Sequence, residues 1–289
     1  MPVPRPFEYY APSTIEDAFR LIAKNQGEVK VIAGGQSLLP LMRFRLASPT
    51  VLVDIGKHLG GELSYVREGR GGISIGALMT HYGLHSSEII RARCPMLAKA
   101  AQDVGDYQVR NRGTLGGSLC HADPAGHYVP AVVALDAELV ARGADGERVI
   151  RAADFFRDMF TTALRPDEIL TEIRIPFTHE DRWGYEVIHG QGGGFATAIA
   201  AVLLKMHASV CESASIVIGA TSPVPVRVTE AEDVLNGKTL TEALLLDAAA
   251  AVHSNLPRPL ADPRIPAPYR RDMASLAAER ALLSAFGGV

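Results

Sequence analysis

A short apolar strand cut off by two glycines sets the tightest limit on what this chain can fold into. Val29-Lys30-Val31-Ile32-Ala33 runs into Gly34-Gly35-Gln36-Ser37, after which Leu38 to Arg45 reads as a short helix. Paired glycines at such a break permit positive φ and close backbone approach. The N–H groups of the turn and of the helix start can then converge on an anion. A second stretch, Arg110-Asn111-Arg112-Gly113-Thr114-Leu115-Gly116-Gly117-Ser118, repeats the device with flanking hydroxyls and two arginines just upstream. One Gly-Gly after a strand is more often a turn than a site. Two of them, each followed by an apolar helix, point to a shared diphosphate ligand chelated by backbone donors from two sides. Neither runs into Gly-Lys-Ser/Thr, so neither is a P-loop.

The remaining sequence brackets these loops in an α+β chain. Its 289 residues are enough for two modest domains. A hydrophobic content of 47% with 21% charged residues excludes a disordered or collagen-like chain. Lys+Arg total 29 against 32 Asp+Glu, with no basic block, so no nucleic-acid or polybasic membrane footprint is present. Cys94, Cys120 and Cys211 are odd in number, far apart and outside any C-x-x-C pattern. That argues against a disulfide framework and against an iron–sulfur or four-cysteine metal site within this chain. No apolar leader core and no run approaching 18 apolar residues is visible, which sets the expectation of a cytoplasmic protein without a membrane span.

Ser13 or Thr14 caps a helix reaching about Asn25, and Thr50 to Asp54 reads as a second buried strand. Leu63–Arg67 with Gly72–Ala77, and Glu138–Arg142 with Glu147–Ile150, read as hairpins. Pro95 to Val104 is helical, Pro130 to Leu135 is an apolar run, and Glu168 to Ile175 is a strand closed by Pro176. Phe177 to Arg182 is polar and without apolar period, which places a domain boundary between residues 1–177 and 178–289. Beyond it come strands at Tyr185–His189 and Ser213–Gly219 and helices at Glu242–His253 and Met273–Phe286. Leu256 to Pro268, with five prolines, is an extended connector.

Other candidates carry less. His189-Gly190-Gln191-Gly192-Gly193-Gly194 precedes Phe195 to Met206, which the apolar pattern allows as a helix, and Glu212 follows at a ribose-binding distance. The G-x-G-x-x-G/A spacing fails, since the last position falls on Phe195 or Thr197. His81 and His85 are spaced i, i+4 but lack a His-Glu-x-x-His frame, and His121-Ala122-Asp123 has no third ligand nearby in sequence. No Gly-x-Ser-x-Gly elbow is present. Read from residues alone, this is a binder of a dinucleotide-type cofactor.

The two loops taken in order, Ala33-Gly34-Gly35-Gln36-Ser37-Leu38-Leu39-Pro40 and Thr114-Leu115-Gly116-Gly117-Ser118-Leu119-Cys120-His121-Ala122-Asp123-Pro124, resemble those of the FAD-binding medium subunits of molybdenum hydroxylases. The similarity is to the carbon monoxide dehydrogenase and xanthine dehydrogenase family, with its quinoline- and nicotine-dehydrogenase members. Leu52-Val53-Asp54-Ile55, Ile75-Gly76-Ala77 with Thr80-His81, Glu168 to Pro176, and Tyr269-Arg270-Arg271-Asp272-Met273 leading into Arg280-Ala281-Leu282 extend it nearly end to end.

The resemblance implies an FAD-binding fold of the vanillyl-alcohol-oxidase type, two α/β subdomains, followed by a domain with a three-stranded antiparallel sheet and helices. In that domain Phe195–Met206 would be largely strand. It implies FAD contacts from Ile32, Ala33, Gly34, Gly35, Gln36, Ser37 and Leu38, from Ala77, Thr80 and His81, and from Gly113, Thr114, Leu115, Gly116, Gly117 and Ser118. His121, Asp123, Glu168, Ile169 and Phe195 complete the implied set, with no catalytic residue and no metal ligand in this chain. It further implies electron transfer from [2Fe–2S] clusters on a small partner to an external acceptor. A large partner would hold molybdopterin cytosine dinucleotide, and the whole would form a dimer of heterotrimers. Two positions depart from the family. An acidic residue common after the Asp-Pro of the second loop is replaced around His127-Tyr128, and Gly194 stands where an Asp precedes the aromatic Phe195. A stand-alone flavin oxidase or reductase, and a non-catalytic nucleotide-binding module, remain as alternatives.

Overall fold

The computed structural model describes residues 3–25, 27–178, 181–190, 194–257 and 259–287. Three larger sheets organise them, beside a two-stranded pair of Phe156–Asp158 and Thr161–Thr162. The first is parallel, with Val51–Asp54 between Glu8–Tyr10 and Val29–Ile32. The helix Ile15–Lys24 covers it. Thr14 is the cap, its Oγ1 accepting from the Asp17 N–H at 3.1 Å, and Ile15, Ala18, Phe19 and Ile22 bury one face at helical spacing.

The second sheet is antiparallel and five-stranded, ordered Val66–Glu68, Gly72–Gly76, Ile169–Pro176, Glu138–Gly143 and Gly146–Arg151. The hairpin expected at 138–150 forms with Gly143 opposite Gly146. The one expected from Leu63 is shorter, because Gly60–Leu63 closes a helical turn and pairing starts at Val66. Helices Pro95–Gln102, Leu115–His121 and Tyr128–Ala134 contribute to the core on this sheet, so the apolar run at 130–135 is largely helical.

The third sheet has three long antiparallel strands, Arg182–His189, Ala196–His207 and Val210–Gly219, extended by the two-residue strands Val226–Arg227 and Lys238–Thr239. The helix that the apolar pattern allowed over Phe195–Met206 is therefore a strand. Its two faces explain the ambiguity: Ile199, Ala201 and Leu203 join the core of the first half, while Ala198, Ala200, Val202 and Leu204 face helices Glu242–Asn255 and Ala267–Gly287. A strand buried on both faces shows no alternation to read. The last helix starts at Ala267, inside the stretch expected to be extended, because Pro268 sits in a first turn where its missing N–H costs nothing. The helix after the first glycine pair stops at Arg43, and Arg45 lies at φ +60°. Gln191, Gly192 and Gly193 of the third glycine run, and residues 179–180 of the expected boundary, lie outside the described residues.

Candidate cofactor site

The first loop leaves the edge of the parallel sheet at Ile32 and turns through Gly35 at φ +75°. A side chain there would be strained, since the left-handed region is unfavourable for residues with a Cβ. Among the described residues, no acceptor takes the N–H groups of Gly35, Gln36 or Ser37. These donors stay partly open to solvent, with Gln36 Nε2 folded back on the Gly34 carbonyl at 3.3 Å.

Gly34 shows where the second stretch lies. A Cβ on it would fall 2.0 Å from the Arg112 carbonyl oxygen and 2.8 Å from Gly113 Cα. The two glycine segments, some eighty positions apart in sequence, are therefore in backbone contact. The segment Ala77–His81 joins them. Gly116 donates to the Ala77 carbonyl at 2.8 Å, Leu115 to Met79 at 2.9 Å and His81 to Gly113 at 3.1 Å, with Thr80 and Thr114 forming a β-bridge. A Cβ on Gly116 would strike Ala77 at 2.6 Å, and one on Gly113 would strike His81 Nε2 at 2.4 Å.

The second segment differs from its sequence expectation. Gly116 and Gly117 are not a turn but the first turn of the helix Leu115–His121, capped by Thr114, whose Oγ1 accepts the Gly117 N–H at 3.1 Å. With Leu115 and Gly116 bonded to Met79 and Ala77, the N–H donors of residues 115–117 are all committed within the protein. Chelation by backbone donors from two sides is thus replaced by a division of labour. The first loop offers free donors, and the second sets the small residues Gly113, Gly116 and Gly117 near them, with its own donors already committed. Ser37 and Ser118 add half-buried hydroxyls.

His81 is buried, its Nδ1 2.9 Å from the Tyr128 hydroxyl. Burial lowers its pKa to about 4, with His127 and Arg110 adding repulsion, so it is a neutral strut behind Gly113. His85, on the same short helix, is half-buried and His81 meets Tyr128 instead of it. His121 lies beside Phe160 with tilted rings 5.1 Å apart, and Asp123 Oδ1 accepts from the Ala125 N–H at 2.9 Å; burial lowers the His121 pKa and the Asp123 charge partly offsets that.

Glu168 is held by Arg148 through two bonds of 2.7 and 2.8 Å and by the Arg165 N–H at 2.7 Å. The Arg148 bond is the main reason that its pKa is lowered. Ile169 lies in the cluster beneath Ala33 and Leu78. Phe195 is 82% exposed where the strand Ala196–His207 begins. The structure thus gathers Ala33, Gly34, Ala77, Thr80, His81 and Gly113 to Gly117, whereas Glu168 serves an ion pair and Phe195 faces solvent.

Sequence reasoning passed over Gly56 altogether and named Asp54 and Tyr128 without giving either a role. Gly56 lets the next turn approach, since a Cβ there would sit 2.6 Å from the Ala33 carbonyl oxygen. Asp54 accepts from Tyr9 Oη at 2.7 Å and the Lys57 N–H at 3.1 Å. Tyr128 was named only as part of a departure from the family, and a buried hydroxyl's need for a partner was the available signal for its bond to His81. At the position of the missing acidic residue, the His127 carbonyl accepts from Tyr185 Oη at 3.0 Å, which ties the third sheet to this region. Unpaired donors on a left-handed glycine turn, packed against a glycine-rich segment, fit a diphosphate group.

Comparison with known proteins agrees with that chemistry. Residues 5–178 match the family described as FAD binding domain in molybdopterin dehydrogenase, and residues 183–285 match the CO dehydrogenase flavoprotein C-terminal domain. The chain is 35% identical over 285 residues to the carbon monoxide dehydrogenase medium chain of Hydrogenophaga pseudoflava, covering 98% of each. It is 38% identical over 233 residues to the nicotine 6-hydroxylase medium subunit of Paenarthrobacter nicotinovorans, covering 81% of each. A solved structure of the Hydrogenophaga carbon monoxide dehydrogenase, lacking the Mo-pyranopterin moiety of its cofactor, superposes with a TM-score of 0.94 at 36% identity over 99% of both chains. Among the described residues no helix is long and apolar enough to cross a membrane. The glycine segments, the fold around them and both matched domains place the chain in the family of FAD-binding medium subunits of molybdopterin-dependent dehydrogenases.

Proposed function

We propose that this chain carries FAD as the electron-transfer subunit of a heteromeric molybdenum hydroxylase in the cytoplasm. Gly34 to Ser37 hold the diphosphate through open N–H donors, and Thr114 to Ser118 form the wall opposite, with Phe195 toward the ring end. When bound, FAD supplies a group that takes electrons singly and releases them as a pair. The electrons come from [2Fe–2S] clusters on a small partner, a large partner with molybdopterin cytosine dinucleotide oxidises the substrate, and an external acceptor receives the pair. The assembly is a dimer of heterotrimers, and residues 1–177 and 178–289 are the two domains of this chain. The observation that carries the reading is the backbone contact of Gly34 with Arg112 and Gly113, which puts free donors beside a second glycine-rich segment. The three cysteines are free, in keeping with a reducing compartment.

Purification of the chain alone tests this. The expected product is yellow, holds a full complement of FAD and turns over no substrate. A colourless chain that refuses added FAD would sink the cofactor assignment. Substrate oxidation by the lone chain would replace electron transfer with a self-contained flavin enzyme.

A further inference from the structure

The helix Ala267–Gly287 opens with an arginine turned inward. Arg270 is only 7% exposed, although it carries a full charge. Its Nε donates to the Leu260 carbonyl at 3.0 Å, its Nη1 to the carbonyls of Ala220 at 2.7 Å and Thr197 at 3.1 Å, and its Nη2 to Asp262 Oδ2 at 3.1 Å. Three of the four acceptors are backbone carbonyls on separate segments, so the planar fork is used as a clamp more than as an ion-pair partner. Burial lowers its pKa, and Asp262 partly offsets that.

Of those carbonyls, Ala220's leads to the glycine segments and Thr197's to the Phe195 segment that the proposed function sets at the ring end. Thr197 follows Phe195 by two residues and lies where the register with Arg182–His189 slips. Ala220, at φ +63°, donates its own N–H to the Pro124 carbonyl at 2.8 Å, and Asp123-Pro124 ends the second glycine segment. A single guanidinium nitrogen therefore joins the start of the third sheet's central strand to Ala220, whose own N–H holds the Asp123-Pro124 turn. Side-chain hydroxyls do not share this work, because Thr197 Oγ1 and Thr221 Oγ1 are buried without partners among the described residues. Arg271 cannot replace it, since its Nη2 is bonded to the Leu256 carbonyl.

We propose that Arg270 is a positioning residue that locks the Phe195 segment to the Asp123-Pro124 turn, so that both ends of the cofactor environment are held in one frame. The proposal rests on the reading that FAD spans these segments. Arg270 acts through Ala220 and Thr197. In the full-length, FAD-loaded chain, Arg270→Met should raise amide hydrogen exchange by about tenfold or more in both 122–127 and 194–198, as expected when bonds to a charged donor are lost. The helix Glu242–Asn255 should keep its protection, and the visible circular dichroism of the bound flavin should change. Arg270→Lys keeps the charge but cannot span separated carbonyls, so it should move the same readouts in the same direction, and it decides the matter if the Met variant does not fold. Exchange raised only in 256–272, or an unchanged flavin band, would overturn the proposal. A wild-type chain without flavin would count against the functional reading, and the exchange pattern alone would then decide for or against Arg270.

Discussion

Gly34 and Gly35 stand next to each other but are needed for different reasons. At Gly35 the cost of a side chain is conformational, about 1–2 kcal/mol for a left-handed residue. At Gly34 it is steric, because the obstacle is the Arg112 backbone and cannot rotate away. Gly34→Val should therefore separate the two glycine segments, destabilise the fold on the order of 1–3 kcal/mol and abolish FAD retention. Gly35→Ala should cost less and retain part of the flavin. Thermal unfolding combined with flavin stoichiometry ranks the two, and equal effects would refute the distinction. His81 gives a second residue-level test. Its folded pKa of about 4 lies below the ordinary 6.5, so between those values the unfolded chain binds a proton that the folded chain refuses. Stability should fall as pH drops from about 6.5 to about 4, and His127, also lowered to about 4 chiefly by burial, acts in the same direction. His81→Gln should flatten urea-measured stability in that window by up to about 1.4 kcal/mol per pH unit, and an unaltered slope would show that His81 is not the buried neutral strut described. The glycine pairs were legible in the sequence because backbone geometry is written in glycine. The commitment of the second segment's donors was not, because it depends on carbonyls of Ala77 and Met79 that no local pattern reveals.

Among the elements, the longer amphipathic ones were readable, while short ones such as Glu8–Tyr10, Tyr107–Arg112 and Thr229–Leu235 were not. Ile15, Ala18, Phe19 and Ile22 announce their helix, whereas Ala196–His207 is covered on both sides and offers only a run of apolar residues. Nor does the sequence say how closely the last helix packs on its sheet. That distance is set by Gly184, where a Cβ would fall 1.8 Å from the Ala281 carbonyl oxygen, and by the helix face Ala274, Ala277, Ala278, Ala281 and Ala285. Gly184→Val should push the helix off the strand Arg182–His189 and cost about 1–3 kcal/mol or more. Melting measurements should show a loss of about 2–4 °C for each kcal/mol. An unchanged melting temperature would mean that the helix is held less tightly than its backbone contact indicates.

At the scale of the whole molecule, a flavin subunit that passes electrons needs a lasting partner, and permanent interfaces bury about 2,000 Å² or more. Co-expression with the two candidate partner chains should yield one complex on native mass measurement, in which the substrate reduces the flavin. The same flavin in the isolated chain should stay oxidised when that substrate is added. Full substrate-linked reduction without partners would remove the electron-relay role. The doubly covered strand Ala196–His207 has a further consequence for this assembly. One of its faces completes the hydrophobic interior of the N-terminal half and the other completes that of the C-terminal half. Loss of that strand should open both interiors, so the two halves are expected to melt in a single step. A fragment ending before residue 196 would expose one wall of its own core, and proteolysis between the halves would yield unfolded pieces instead of two working modules. Expressed alone, the flavin-binding half should therefore be unstable unless residues 196–207 are carried with it, and a stable, folded fragment of residues 1–177 would contradict this.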